Sequence, residues 1–167
     1  MNTDLSFEIP EKYKDFSNRI LRFARSHFWM YIPDGIIILL LIIPPYSKSE
    51  TLALISGLVV LGFRDIIIMR RMKAYLSSFR VSDSMVFYTV YKYSQIMLDH
   101  STHISNIDIK LTQKWYGLSI GLYDGGVLLH QQYAMGYWTK QRLKELYNKF
   151  NEIKGGVNLK AMFREQL

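Results

Sequence analysis

The sequence predicts an α+β membrane protein: a transmembrane helical hairpin followed by a small antiparallel β-barrel or curved sheet with a C-terminal helix. Two apolar runs, Phe28 to Ile43 and Thr51 to Met69, are separated only by Pro44-Pro45-Tyr46-Ser47-Lys48-Ser49-Glu50. Basic residues flank the pair on its outer sides. After Lys73 the chain changes to short alternating segments and closes on one amphipathic helical stretch. The expected organisation is a cytoplasmic amphipathic N-terminal helix (1–27), the hairpin (28–72), a cytoplasmic β domain with its helix (73–156) and a tail (157–167).

From Glu11 to His27, the residues Tyr13, Phe16, Ile20, Phe23 and Ala24 recur at helical spacing, and Lys12, Lys14, Arg19, Arg22 and Arg25 take much of the remainder. Pro10 suits the first turn of a helix. A basic amphipathic helix beside a span is expected to lie on the inner leaflet. The same stripe is equally suited to packing on the β domain.

A helix needs about 20 residues to cross the hydrocarbon core. The first run reaches that length only if His27, Phe28, Trp29 and Tyr31 form its interfacial belt. Pro44-Pro45 cannot continue a helix and ends the span. The second run is long enough but carries Arg64-Asp65. Arg19, Arg22 and Arg25 precede the first run and Arg70, Arg71 and Lys73 follow the second, whereas the turn holds only Lys48 beside Glu50. The positive-inside rule then puts both termini in the cytoplasm. These six flanking cations are the expected membrane-surface set. Asp34 and Arg64 fall at similar depth counted from the turn. A charge in lipid must be paired or must snorkel to the interface, so Asp34, Arg64 and Asp65 are expected to form an intramembrane polar contact that pins the helices. A proton or ion relay through them would need oligomerisation or partner subunits; a polar contact with a partner membrane protein is a third reading. A pair of core helices is disfavoured, because Ile36 to Ile43 is apolar all round.

In the β domain, Phe79-Arg80-Val81 leads to the turn signal Asp83-Ser84, and Met85 to Tyr93 is rich in Val, Tyr, Phe and Thr, as strands are. Ile96-Met97-Leu98, Ile104 to Leu111 and Leu118 to Leu122 are further strands. Asp124-Gly125-Gly126 turns the last of these into Val127-Leu128-Leu129-His130. Thr139 is placed as N-cap of a helix with Leu143, Leu146, Tyr147, Phe150 and Ile153 on one stripe, and Gly155-Gly156 as its stop. Leu159, Met162 and Phe163 suit a short docking helix in the tail.

The layout from about Phe28 to Lys154 resembles the small two-helix bacterial inner-membrane proteins with a YcxB-like, pleckstrin-homology-like cytoplasmic domain. The resemblance rests on Ile104-Ser105-Asn106-Ile107-Asp108-Ile109, then Gly125-Gly126-Val127-Leu128-Leu129, then Trp138-Thr139 opening the helix. Tyr133-Ala134-Met135-Gly136-Tyr137 stands where that group has a short Ile-Pro segment. The resemblance implies a fold and a location in the bacterial inner (cytoplasmic) membrane, and little about activity.

The chain has no cysteine, which excludes disulfides, thiolate metal sites and cysteine nucleophiles. Much of the net charge of +7 sits beside the apolar runs and along the last helix, which points to topology and anionic lipid rather than nucleic acid. His100-x-x-His103, beside Asp99, has no third ligand nearby, and neither Ser101 nor Ser119 has a base beside it. His130 is read as an edge residue. Asp124-Gly125-Gly126 is too short for a phosphate cradle. No catalytic residue, metal site or cofactor is expected. Trp115, Tyr116, Tyr123, Tyr133, Tyr137 and Trp138 form a dense aromatic set, in which Tyr133, Tyr137 and Trp138 are expected on a docking loop. Lys110, Lys114, Lys140, Arg142 and Lys144 suit either the inner leaflet or a solvated face.

These features lead to an expected non-enzymatic role: the hairpin anchors a module for protein–protein interaction, scaffolding or regulation of a membrane complex, an immunity-type protein being one form. The expected partners are membrane lipids and either another protein or a second copy of the chain. The alternative is a small subunit of a transporter or ion-translocating assembly that uses Asp34, Arg64 and Asp65. A third reading is an enzyme acting on lipid-linked substrates.

Overall fold

The computed structural model describes residues 4–43, 47–114 and 117–164. Among the described residues seven strands form two antiparallel sheets, ordered β1-β2-β3-β4 and β5-β6-β7. The first contains β1 (Leu5–Glu8), β2 (Ala74–Ser82), β3 (Met85–Lys92) and β4 (Gln95–His103). The second contains β5 (Ile107–Lys114), β6 (Gly117–Asp124) and β7 (Val127–Tyr133). The helices are α1 (Phe16–Ser26), α2 (Ile32–Ile42), α3 (Lys48–Lys73) and α4 (Lys140–Arg164). The Pro44-Pro45 stop and the Trp115-Tyr116 pair lie outside the described residues.

The turns carry out what their residues permit. Asp83 and Ser84 take φ of 51° and 65° between β2 and β3, and Gly125 and Gly126 take 54° and 83° between β6 and β7. Two consecutive positive-φ residues match the twist of a tight hairpin.

Three expectations about the elements themselves need correction. Leu5–Glu8 is a strand, paired with β2 from Leu5↔Val81 to Glu8↔Ser78, so the helical hairpin is inserted into the first sheet rather than preceding it. So short a strand cannot stand alone, and its partner lies beyond the hairpin. The amphipathic helix begins at Phe16, where the Asp15 side chain accepts from Asn18 N at 2.8 Å; Glu11–Tyr13 winds instead as a 3-10 turn. Finally, α4 runs through Gly155-Gly156 to Arg164. Glycine weakens a helix by about 1 kcal/mol but keeps its backbone N–H, so it does not force a stop. Just before the pair, Lys154 Nζ donates to Ile107 O and Asp108 Oδ1, both at 2.6 Å, and ties the helix to β5.

The core is shared by both sheets and α4, with Phe79, Val86, Val90, Ile107, Ile120, Leu122, Leu146 and Phe150 fully buried. The sheets are joined at a bulge in β2 at Ser77. There Leu76 N donates to Gln132 Oε1 at 2.8 Å, Leu76 O accepts from Trp138 Nε1 at 2.7 Å, and Ser77 O accepts from Ile9 N at 2.9 Å. The backbone groups freed by the bulge thus bind β7, the loop before α4 and the residue after β1.

His130 sits in this core rather than at an edge. It is 5 % exposed, and its Nε2 lies 3.5 Å from Gln132 Oε1. Burial pulls its pKa down to about 4, against a weaker opposing effect of Gln132. The folded state therefore resists a proton that the unfolded chain accepts near pH 6.5. Stability from this group is complete above that pH and is lost as pH falls towards 4, by roughly 3 kcal/mol in all. Thermal midpoints measured between pH 7 and 4 should fall, and His130→Gln should flatten that slope; an unchanged slope would count against this origin.

The helical pair departs from the core. Among the described residues α3 is the one helix long and apolar enough to cross a membrane by itself, and none of its most apolar stretch is buried. Its 26 residues span about 39 Å. By contrast, α2 has 11 residues and spans about 16 Å. Phe28–Tyr31 extends it as a 3-10 turn, because Pro33 sets the α-helical start. The segment Phe28–Ile42 is long and apolar enough to cross a membrane only together with α1, across an 83° bend.

Candidate functional site

Polar groups converge where the base of α2 meets α3. Arg64 Nη2 lies 2.7 Å from Asp34 Oδ2, and Arg64 Nε donates to Asp65 Oδ1 at 3.0 Å. Arg64 Nη1 donates to Met30 O at 2.8 Å, and its guanidinium sits 5.3 Å from the centre of the Tyr31 ring. The 3-10 turn before α2 is what brings Met30 O and Tyr31 to the arginine. Asp34 Oδ1 is buried and has no partner among the described residues. Nearer the turn the helices approach closely: a Cβ on Gly57 would stand 3.2 Å from Ile37 Cδ1.

A second cluster fixes the hairpin to the β domain. Arg19 on α1 is 1 % exposed and donates to Tyr13 O at 2.9 Å, to Lys14 O at 2.8 Å and to Tyr93 O. Its guanidinium lies 5.0 Å from the Tyr75 ring centre and 5.6 Å from that of Phe16. Burial lowers its proton affinity, and Tyr75 and Asp15 oppose that effect. Arg19 is therefore not a membrane-surface cation. Phe23 is buried beside it, so this face of α1 packs inward, while Arg22 and Arg25 are exposed. At the other end, α3 passes from Lys73 into β2 at Ala74 with no loop. Arg70 is exposed, Arg71 lies 4.9 Å from the Tyr133 ring centre, and Lys73 Nζ lies 4.8 Å from that of Tyr93.

The expected aromatic docking loop divides. Trp138 is wholly buried and belongs to the core, because its indole N–H closes the β2 bulge. Tyr133 and Tyr137 are half-buried. Tyr137 contacts Tyr13 with ring centres 5.8 Å apart and carries Arg142 at 3.8 Å from its ring centre. Gly136, at φ +62°, lets the loop pass Tyr75; a Cβ there would lie 2.9 Å from Tyr75 Oη.

No family model, curated protein or solved structure matches this chain.

The remaining polar candidates are dispersed. His100 Nε2 lies 3.2 Å from Asp124 Oδ2 and bridges the two sheets, whereas His103 Nδ1 meets Ser105 Oγ at 2.8 Å. On a strand, positions three apart point to opposite faces, and among the described residues no group of acidic or His side chains could hold a metal. Ser119 is buried and accepts from Gln131 Nε2 at 3.1 Å. Sequence reasoning missed the carbonyl set around Arg19. The signal available to it was an arginine on the same helical stripe as Phe16 and Phe23.

Proposed function

We propose that the chain is an integral protein of the bacterial inner membrane whose α2–α3 hairpin anchors a cytoplasmic pleckstrin-homology-like module. In this reading it performs no catalysis; it binds protein partners and scaffolds or regulates a membrane complex. The observation that carries the reading is the bare apolar surface of the helical pair. Leu52, Val60 and Phe63 on α3 are 66 %, 67 % and 63 % exposed, and Ile42 on α2 is 70 % exposed. Side chains of this kind around a whole helix favour hydrocarbon over water. Arg70, Arg71 and Lys73 at one end of α3, against Lys48 and Glu50 at the other, favour cytoplasmic termini. The four-plus-three strand arrangement and the closing helix support the pleckstrin-homology-like reading.

The architecture also suits a coupling role. Both ends of the hairpin are held by the module, α1 through Arg19 and α3 through its unbroken passage into β2. A partner that shifts the helices would act on β2 directly. An immunity-type protein is one form of this role. The alternative, a small subunit of an ion-translocating assembly, is favoured by the unpartnered Asp34 Oδ1 beside Arg64. Under that alternative Asp34→Asn abolishes activity in a folded, inserted chain.

The cysteine-free sequence makes topology directly testable. In intact spheroplasts an impermeant maleimide should label Ser49→Cys, while Ser17→Cys and Asn151→Cys should react only after lysis. Extraction of the chain by alkaline carbonate overturns the anchor, and the reverse labelling overturns the cytoplasmic placement of the termini. Purification from native membranes in mild detergent should return a stoichiometric membrane partner; recovery of the chain alone argues against scaffolding.

A further inference from the structure

A groove opens between α1 and the start of α4. One part, about 490 Å³, runs from Tyr13 and Gly136 past Thr139 to Arg142 and Glu145. A second, about 300 Å³, runs from the same Tyr13 and Gly136 to Arg22 and Arg25. Shared walls make them one surface, lined by three guanidiniums. Its carboxylate, Glu145, is already engaged by Lys149 Nζ at 2.7 Å. Among the described residues no carboxylate lies within ion-pair distance of Arg22, Arg25 or Arg142.

Two of the cations are held in place by the aromatic pair. Arg142 lies 3.8 Å from the Tyr137 ring centre and donates through Nη1 to Tyr137 O at 3.2 Å. Arg22 lies 5.6 Å from the Tyr13 ring centre. A guanidinium laid on an aromatic face is preorganised and still offers N–H edges to an oxyanion. With Arg25 they make three cations in one groove, which repel each other until an anion joins them. A phosphate, with oxygens for two or three arginines, matches this arrangement.

The position of α1 selects the source. It meets the Phe28–Ile42 segment at 83°. On the membrane reading, on which this inference rests, α2 stands across the bilayer and α1 lies along its inner surface. Phe28 and Trp29, exposed by 52 % and 74 %, mark the bend as an interfacial belt. Arg22 and Arg25 then sit at headgroup depth, where anionic lipids concentrate. We infer that this groove binds the phosphate headgroup of an anionic membrane lipid through Arg22, Arg25 and Arg142.

The test uses the full chain in dodecyl maltoside, titrated with dihexanoyl-phosphatidylglycerol, dihexanoyl-phosphatidylcholine or inorganic phosphate. Phosphatidylglycerol should raise the thermal midpoint in a saturable way, as a ligand of the folded state does, and phosphatidylcholine should not. Arg22→Gln, Arg25→Gln and Arg142→Gln should each weaken the effect about tenfold, the scale of one charge-assisted contact. The Arg25 side chain makes no hydrogen bond among the described residues, so its variant keeps the fold and reads binding alone. Arg80→Gln, on a different cavity with Ser78 and Asp83, should leave binding unchanged. An equal response to inorganic phosphate overturns the lipid assignment, and an equal loss in Arg80→Gln overturns the groove in favour of diffuse attraction. No response to phosphatidylglycerol overturns both. Carbonate extraction separates the two readings: a chain that stays in the membrane yet ignores phosphatidylglycerol refutes the groove alone, whereas a stripped chain refutes the anchor.

Discussion

Replacing Arg19 by alanine is expected to cost about 3–5 kcal/mol and to release α1 from the β domain. The wild-type guanidinium satisfies Tyr13 O, Lys14 O and Tyr93 O from a site that is 1 % exposed. Each buried carbonyl left without a donor costs about 1–3 kcal/mol, and water entering the gap recovers part of that. The carbonyls come from the 3-10 turn, from the residue after it and from Tyr93, a non-glycine residue at φ 56°. One side chain therefore holds three segments that no backbone ladder joins. Arg19→Lys should recover only part of the loss, because an ammonium cannot span the planar fork or cover Tyr75. Limited proteolysis between Ser26 and Phe28, together with the thermal midpoint, reads both effects. A loss under about 1 kcal/mol would mean that water replaces the guanidinium well.

The second large effect is expected at Arg64. Arg64→Ala leaves Asp34 and Asp65 facing each other without their cation, and Met30 O without its donor. Removing one partner of a secluded ion pair costs about 3 kcal/mol or more, and under the proposed membrane anchoring hydrocarbon around the helices would leave little relief from water. The yield of folded protein in detergent should drop, and so should the thermal midpoint. Asp34→Leu combined with Arg64→Leu should lose less than Arg64→Leu alone, because only Asp65 is then left without its cation, whereas Arg64→Leu strands both carboxylates. The cycle made of Asp34→Leu, Arg64→Leu and the double variant isolates the pair from other effects of each change. A folded, stable Arg64→Ala protein that has lost function would favour the ion-translocating alternative.

The two sites differ in how far the sequence shows them. Asp34 and Arg64 are each a charge within an apolar run, at similar depth counted from one turn, so counting residues brings them together. Arg19 looks like Arg22 and Arg25 in the sequence, as one more cation before a span. Its place on the stripe of Phe16 and Phe23 is the one local difference, and the fold gives it meaning: α1 turns Arg19 towards Tyr93, far along the chain, and leaves the other two outside. Trp138 shows the same limit. An aromatic in a loop reads as a docking residue until the β2 bulge presents Leu76 O to its indole.

By itself the sequence determined the features that depend on near neighbours. These are the two apolar runs, the alternating strands from Met85 onward, the Asp83-Ser84 and Gly125-Gly126 turns, and the start of α4, where Thr139 Oγ1 accepts from Arg142 N at 3.3 Å. Residue periodicity and local backbone preference act over a few positions, so they can be read from one chain. Only the tertiary structure decided that β1 completes the first sheet across the inserted hairpin, and that Arg142 joins Arg22 and Arg25 along one groove. Those arrangements depend on pairing and burial between segments distant in the chain. Their free energy belongs to the assembled core and to no single stretch of sequence.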